Sequence, residues 1–216
     1  MTLAAVIFDL DGTVLDNEDE YGLAFRKVLK SLGKRVDLKY PHTQGIGVKE
    51  NWPLLLSKYK IKTKRTIEEL TAQTQDAYLK LLPKVDIKKG FEGFISDLRS
   101  SGITTALATS NDWWIVDGVL AELKLERFFD VTTTGEEVDY KKPNPDLFFL
   151  TARKLGVEPE NCLVIEDSPA GIEAAHRAGM KAVGIARDKK HAMALKEADL
   201  IIYNYRQLSP LKIAGL

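Results

Sequence analysis

The chain has 216 residues, with 31 basic and 31 acidic side chains and so a formal net charge of zero. That length suits one domain, or one domain with a modest insertion, and the neutral balance argues against a nucleic-acid partner. At 44% apolar and 29% charged residues the composition is globular rather than disordered, and the lone cysteine, Cys162, excludes an intrachain disulfide framework and fits a reducing compartment.

In chain order, Leu3 to Phe8 is a short continuous apolar run that predicts a strand covered on both faces. The same pattern returns at Ile103 to Ala108, more weakly at Val131 to Thr133, then at Leu163 to Ile165, Ala182 to Ile185 and Leu200 to Ile202. Helical spacing lies between these runs. Phe91, Phe94, Ile95 and Leu98 precede Gly102; Ile115, Val119, Leu120 and Leu123 follow Trp114; Leu147, Leu150 and Leu155 follow Pro145. Ser168-Pro169 opens a further helix that stops at Gly179. Alternation of this kind predicts an α/β fold, a Rossmann-like parallel sheet with helices on both faces. The stretch from about Asn17 to Leu82 breaks the alternation. It is helical in pattern, with Tyr21, Phe25, Val28, Leu29 and Leu32 on one face and no strand signal. The expected organisation is a core of residues 1–15 and 84–216 with an inserted helical domain at 16–83. No run is apolar enough to cross a bilayer, and the N-terminus lacks a signal-peptide pattern, so the expectation is a cytoplasmic protein with no membrane partner, taken as a monomer.

Four motifs follow successive predicted strands. Asp9-Leu10-Asp11-Gly12-Thr13 places two acids at a strand end, where residues two apart point to the same side. Paired like charges there need a neutraliser, and Mg²⁺ is the natural one. Glu166-Asp167-Ser168 is a second acid pair at an equivalent position. Thr109-Ser110-Asn111 offers hydroxyls and backbone N–H groups that cradle anions. Lys141-Lys142-Pro143-Asn144-Pro145 offers a lysine aimed by a rigid segment. Taken singly, helix caps and a solvated basic loop explain the last three as well. Together, strand ends of a parallel sheet converge on one crevice. A carboxylate nucleophile, a phosphate cradle, a cation and a metal site are the parts of phosphoryl transfer.

This set resembles the haloacid dehalogenase superfamily in its phosphatase and phosphomutase branch, over essentially the whole chain. The pattern is similar to that of β-phosphoglucomutase-like, 2-deoxyglucose-6-phosphate phosphatase-like and phosphoglycolate phosphatase-like proteins. The resemblance implies that Asp9 is the nucleophile that becomes an aspartyl phosphate, and that Asp11 is acid and then base. It implies that Thr109 and Lys142 hold the phosphoryl oxygens, with Ser110 and Asn111 beside them. Mg²⁺ would be held by Asp9, the backbone carbonyl of Asp11, Asp167 and, ranked lower, Glu166. Residues 16–83 would be the family's small cap. Within it Gly45-Ile46-Gly47-Val48-Lys49 resembles a loop that faces the site, where Lys49 is either a substrate contact or a solvated side chain.

The implied activity is hydrolysis of a small phosphorylated metabolite. Three rivals stand beside it. A phosphotransfer receiver domain is shorter and lacks the helical insertion. A non-catalytic phosphate-binding protein would have lost Asp9 or Asp11. A phosphomutase of the β-phosphoglucomutase type carries a cap histidine where this chain has Tyr21. Of the three histidines, His176 and His191 are expected in bland roles, and His42, in the insertion, is the one with a route to the site. Core or helix packing is the expectation for Trp113 and Trp114, with the site entrance as the alternative. Cys162 is expected to be an inert buried hydrophobe.

Overall fold

The computed structural model describes residues 3–43 and 46–216. Strand β1 (Ala5–Phe8) has all four side chains buried, as an unbroken apolar run between two helical layers must. After a turn, strand β2 (Leu15–Asp16) leads into helices α1 (Glu18–Ser31), α2 (Val48–Lys58) and α3 (Ile67–Leu79), and strand β3 (Asp86–Ile87) returns antiparallel to β2. This ribbon flanks the stretch 17–82, in which the described residues form helices and no strand, as expected; the ribbon itself is too short to set a period in the sequence. Its register puts Asp16 opposite Asp86, a like-charge pairing that Lys88 offsets by donating to Asp16 Oδ1 at 2.8 Å.

The three helices bury the stripe that their spacing predicts. Tyr21, Phe25, Val28 and Leu29 of α1 pack with Leu70, Ala77 and Tyr78 of α3. Trp52 of α2 is fully buried, and its indole N–H donates to Thr74 Oγ1 at 3.1 Å. A reciprocal Thr66–Glu69 capping box starts α3. These side chains belong to the same buried cluster as Val6 and Phe8, so the helical layer and one face of the main sheet share a core.

The rest alternates: α4 (Phe91–Ser100), β4 (Thr104–Ala108), α5 (Trp113–Leu123), β5 (Val131–Thr133), α6 (Asp146–Leu155), β6 (Cys162–Glu166), α7 (Pro169–Arg177), β7 (Lys181–Ile185), α8 (Lys189–Ala194), β8 (Leu200–Ile202) and α9 (Pro210–Ala214). The six main strands form one parallel sheet in the order β5-β4-β1-β6-β7-β8. Odd and even residues of β1 face different cores: Val6 and Phe8 toward the larger cluster, Ala5 and Ile7 toward an alanine-rich one with α6 and α7. The sheet's outer strands narrow to three residues, and no helix among the described residues is long and apolar enough to cross a membrane.

Trp113 and Trp114 correct an expectation. Both are exposed, at 46% and 43%, and neither lines the cavity described below. Helix α5 begins at Trp113 and turns Ile115, Val116, Val119 and Leu120 inward, which leaves the two tryptophans outside the buried stripe. Cys162 is buried, as expected, and burial pushes its thiol up to about 11.

Candidate active site

Strand register brings the motifs together. Phe8 stands level with Leu107 of β4 and with Ile165 of β6. The residues that follow, Asp9, Ala108-Thr109 and Glu166-Asp167, therefore leave the sheet side by side at the switch point, where β1 lies between β4 and β6. Asp9 N–H still donates to Ile165 O at 3.0 Å, and Thr109 N–H to Thr133 O at 3.1 Å, so the sheet fixes both backbones to the rim. Gly12 then turns the chain with φ +74°, and a Cβ there would fall on the Asp167 carboxylate. Beneath this turn Tyr205 donates from its hydroxyl to Thr13 O at 3.1 Å, while its ring packs on Phe8, Phe91 and Phe94.

Lys142 is the hub of the charges. Its Nζ donates to Asp9 Oδ1 and to Glu166 Oε1, both at 2.6 Å. The other oxygen of Glu166 accepts from Ser168 N–H at 2.7 Å and from its hydroxyl at 2.9 Å. Ser168 also caps α7 through Gly171 N–H, and a Cβ at Gly171 would strike Glu166. Asp11 is held differently. Its Oδ1 accepts from the Asn17 amide, and its Oδ2 accepts from the Asn111 amide at 2.6 Å. Asn17, wholly buried, also accepts from Gly12 N–H at 3.1 Å and meets the Tyr78 hydroxyl of α3 at 2.6 Å.

Four carboxylates, Asp9, Asp11, Glu166 and Asp167, thus crowd one rim. Burial pushes Asp9 up to about 8, against the pull of Lys142. It also raises Asp11, against its two amide donors, and raises Asp167, with Glu166 and Asp9 adding to the effect. Burial opposes the charge on Lys142, yet Asp9 and Glu166 more than offset it and hold its pKa above that of an ordinary lysine. Arg187, just beyond β7, lies 3.4 Å from Asp167 and 3.7 Å from Glu18. One carboxylate oxygen each from Asp9, Glu166 and Asp167 lie within 4.8 Å of one another. An all-oxygen anionic donor set short of positive charge suits a hard divalent cation, so the residues present fit Mg²⁺. The Asp11 carboxylate is not in that set, being turned to Asn17 and Asn111.

Above the rim opens a cavity of about 280 Å³. Asp9, Asp11, Thr109, Ser110, Asn111, Lys142, Glu166 and Asp167 line its sheet end, and Lys49 lines the end formed by the helices. All the candidate residues named from the sequence therefore meet in one place. Lys49 is 58% exposed and is paired with Glu68 at 3.3 Å. Gly45 of the same loop lies outside the described residues. Lys141 donates to Ser110 O at 3.1 Å, which separates its place from that of Lys142. Tyr21 lines the cavity, its ring stacked on Tyr78 at 4.0 Å. His42 lines it too, buried, stacked on Phe25 at 4.6 Å and 3.3 Å from Glu18. His176 and His191 lie elsewhere, the former against Asp199 at 2.9 Å and the latter at the start of α8.

Sequence reasoning missed Asn17, Glu18, Gln75, Tyr78 and Arg187. For Arg187 a signal existed, since it closely follows a strand of the same sheet. Asn17 and Glu18 look like an ordinary helix start, and Gln75 and Tyr78 lie in a stretch whose pattern says only that it is a helix.

A family model described as haloacid dehalogenase-like hydrolase matches residues 6–185, and the chain belongs to that family. Among curated relatives, the phosphorylated carbohydrates phosphatase of Thermotoga maritima is 32% identical over 212 residues, covering 92% of this chain and 93% of that protein. The fructose-1-phosphate phosphatase YqaB of Escherichia coli is also 32% identical, over 84% of this chain and 96% of its own. Among solved structures, a β-phosphoglucomutase from Clostridium difficile superposes with a TM-score of 0.84 at 29% identity, covering 100% of this chain and 96% of that one.

Proposed function

We propose that the protein is a Mg²⁺-dependent phosphatase of a small phosphorylated metabolite, a sugar phosphate or similar compound. In this reading residues 1–15 and 84–216 form the catalytic core, and residues 16–83 form a cap over it. The observation that carries it is the arrangement of two carboxylates at one cavity: Asp9 gripped by a buried lysine, and Asp11, two residues on, held by two amides.

The chemistry follows from these positions. A carboxylate oxygen of Asp9 attacks the phosphorus, and the bond from phosphorus to the leaving oxygen breaks. Asp11 gives its proton to that oxygen, a role that suits a carboxyl whose pKa is raised by burial. Asp11 then takes a proton from water as the water attacks phosphorus and Asp9 is released. Lys142 and the Thr109 hydroxyl face the phosphoryl oxygens, with Ser110 beside them. Asn111 also lines the cavity and holds Asp11. Asp9, Asp167 and the Asp11 carbonyl would hold Mg²⁺, and Glu166, with both oxygens already engaged, serves chiefly to place Lys142. Once bound, the cation would offset charge on these carboxylates and so ease the approach of an anionic phosphate.

A phosphomutase is the second reading, favoured by His42 in the cavity wall and by the likeness to a β-phosphoglucomutase. Against it, the position resembling the mutase histidine is Tyr21, stacked on another tyrosine. The two are separated by incubating the protein with β-glucose 1-phosphate, Mg²⁺ and a trace of the 1,6-bisphosphate. Free phosphate should outpace glucose 6-phosphate; the reverse would replace the phosphatase with the mutase.

A further inference from the structure

The end of the cavity formed by the helices has three polar groups without a hydrogen-bond partner among the described residues, the Tyr21 hydroxyl, His42 Nδ1 and the Gln75 amide, and of these three only Gln75 has neither a stacking nor an ion-pair partner. Gln75 of α3 is 6% exposed, lines the cavity and has no hydrogen-bond partner among the described residues. The amide is not shut off from the cavity, so it is available to hydrogen-bond whatever occupies that space, water or a ligand. An amide both donates and accepts, and so does a hydroxyl; a phosphate or carboxylate only accepts, and is met instead by cations.

The charges at this end agree. Glu18 and Glu50 line it alongside Lys49, and Lys49 is already paired with Glu68. Glu18 is itself met by Arg187 and His42, so a second anionic group would meet the Glu50 carboxylate and a lysine already paired. Phe25, Ile46 and Val48 supply apolar surface for the C–H face of a ring or chain.

Gln75 also shares a face of α3 with Tyr78, three residues on, whose hydroxyl meets the Asn17 amide that holds Asp11. A leaving group bound to Gln75 would brace the same helix that braces the acid–base residue.

We infer that Gln75 recognises a hydroxyl on the leaving group, and that the substrate is a phosphomonoester of a neutral, polyhydroxylated compound rather than a bisphosphate or a phosphorylated acid. This rests on the phosphatase reading and deepens it.

The test compares kcat/KM for fructose 1-phosphate, 2-phosphoglycolate and p-nitrophenyl phosphate, with Mg²⁺, in the wild-type chain and in Gln75→Ala and Gln75→Leu. The wild type should prefer the sugar phosphate to phosphoglycolate. In both variants the ratio of kcat/KM for the sugar phosphate to that for p-nitrophenyl phosphate should fall about tenfold, the size of one good neutral hydrogen bond. Because the ratio is taken within one protein, a partly folded variant does not mimic the effect. An unchanged ratio, or a wild-type preference for phosphoglycolate, overturns the inference while leaving a phosphatase. If the wild type turns over none of the three, the phosphatase reading falls and takes the inference with it.

Discussion

The two ends of the cavity are built on different principles. At the sheet end each charged group is tied to a partner within the protein, charged or neutral: Lys142 to Asp9 and Glu166, Asp11 to the amides of Asn17 and Asn111, Asp167 to Arg187. At the end formed by the helices aromatic and apolar side chains alternate with Glu18, Lys49 and Glu50, and the Gln75 amide has no partner among the described residues. A densely tied cluster is pre-organised for one reaction whatever the substrate, because its geometry is set before anything binds. A sparsely tied wall can change from one protein to another without disturbing that cluster. On the proposed reading, the chemistry and the choice of substrate lie on separate parts of the chain.

If the sheet end is the chemical end, its substitutions should act on rate and leave the fold alone. Asp11→Asn removes the proton donor but keeps the shape and both amide neighbours. Turnover should drop by ~10²–10⁴ with poor leaving groups, and by less with a good one such as p-nitrophenolate. Equal losses for both would give Asp11 another role. The helical layer should answer the opposite way. Trp52 is fully buried and bonded to Thr74, so Trp52→Ala should cost about 3–5 kcal/mol in urea unfolding. Because α1–α3 share a core with β1, that loss should appear in a single transition. Two separate transitions would mean that the layers fold apart.

The same contrast explains what the sequence disclosed. The strands after which the motifs fall were legible because fully buried β-strands are unbroken apolar runs, and β1, β4 and β6 match their predicted runs to within two residues at each end. Register then did the rest: once Phe8, Leu107 and Ile165 stand level, Asp9, Thr109 and Glu166 must meet. Helical periodicity in 16–83 disclosed which face is buried and nothing about which buried polar residue is spare. Gln75 and Asn17 are therefore silent in the sequence, since an amide in a helix or at its start is unremarkable until its partners are known. The ribbon of β2 and β3 is silent for want of length, and Trp113 and Trp114 misled because large apolar residues are usually covered.

A smaller effect lies away from both ends and serves as a control. At Asp199 burial opposes ionisation, but Lys181, the Ala182 N–H and His176 outweigh it and hold the carboxyl down to about 2, from 3.8. A depressed carboxylate stabilises the fold above its unfolded pKa, and that contribution disappears as pH falls through the folded value. Asp199→Asn should therefore lower the thermal midpoint by no more than a few degrees near pH 6, and the difference should close between about pH 4 and pH 2. A gap that persists at pH 2 would assign the effect to packing.

The central claim is that Asp9 carries the phosphoryl group. In the Asp11→Asn chain, where hydrolysis of the intermediate is slowed, a rapid acid quench during turnover followed by peptide mass spectrometry should find phosphate on the peptide that contains Asp9. The mass shift should be absent when Asp9→Asn is added, and that variant alone should turn over no substrate. Phosphate on another residue, or undiminished turnover in Asp9→Asn, would contradict the account.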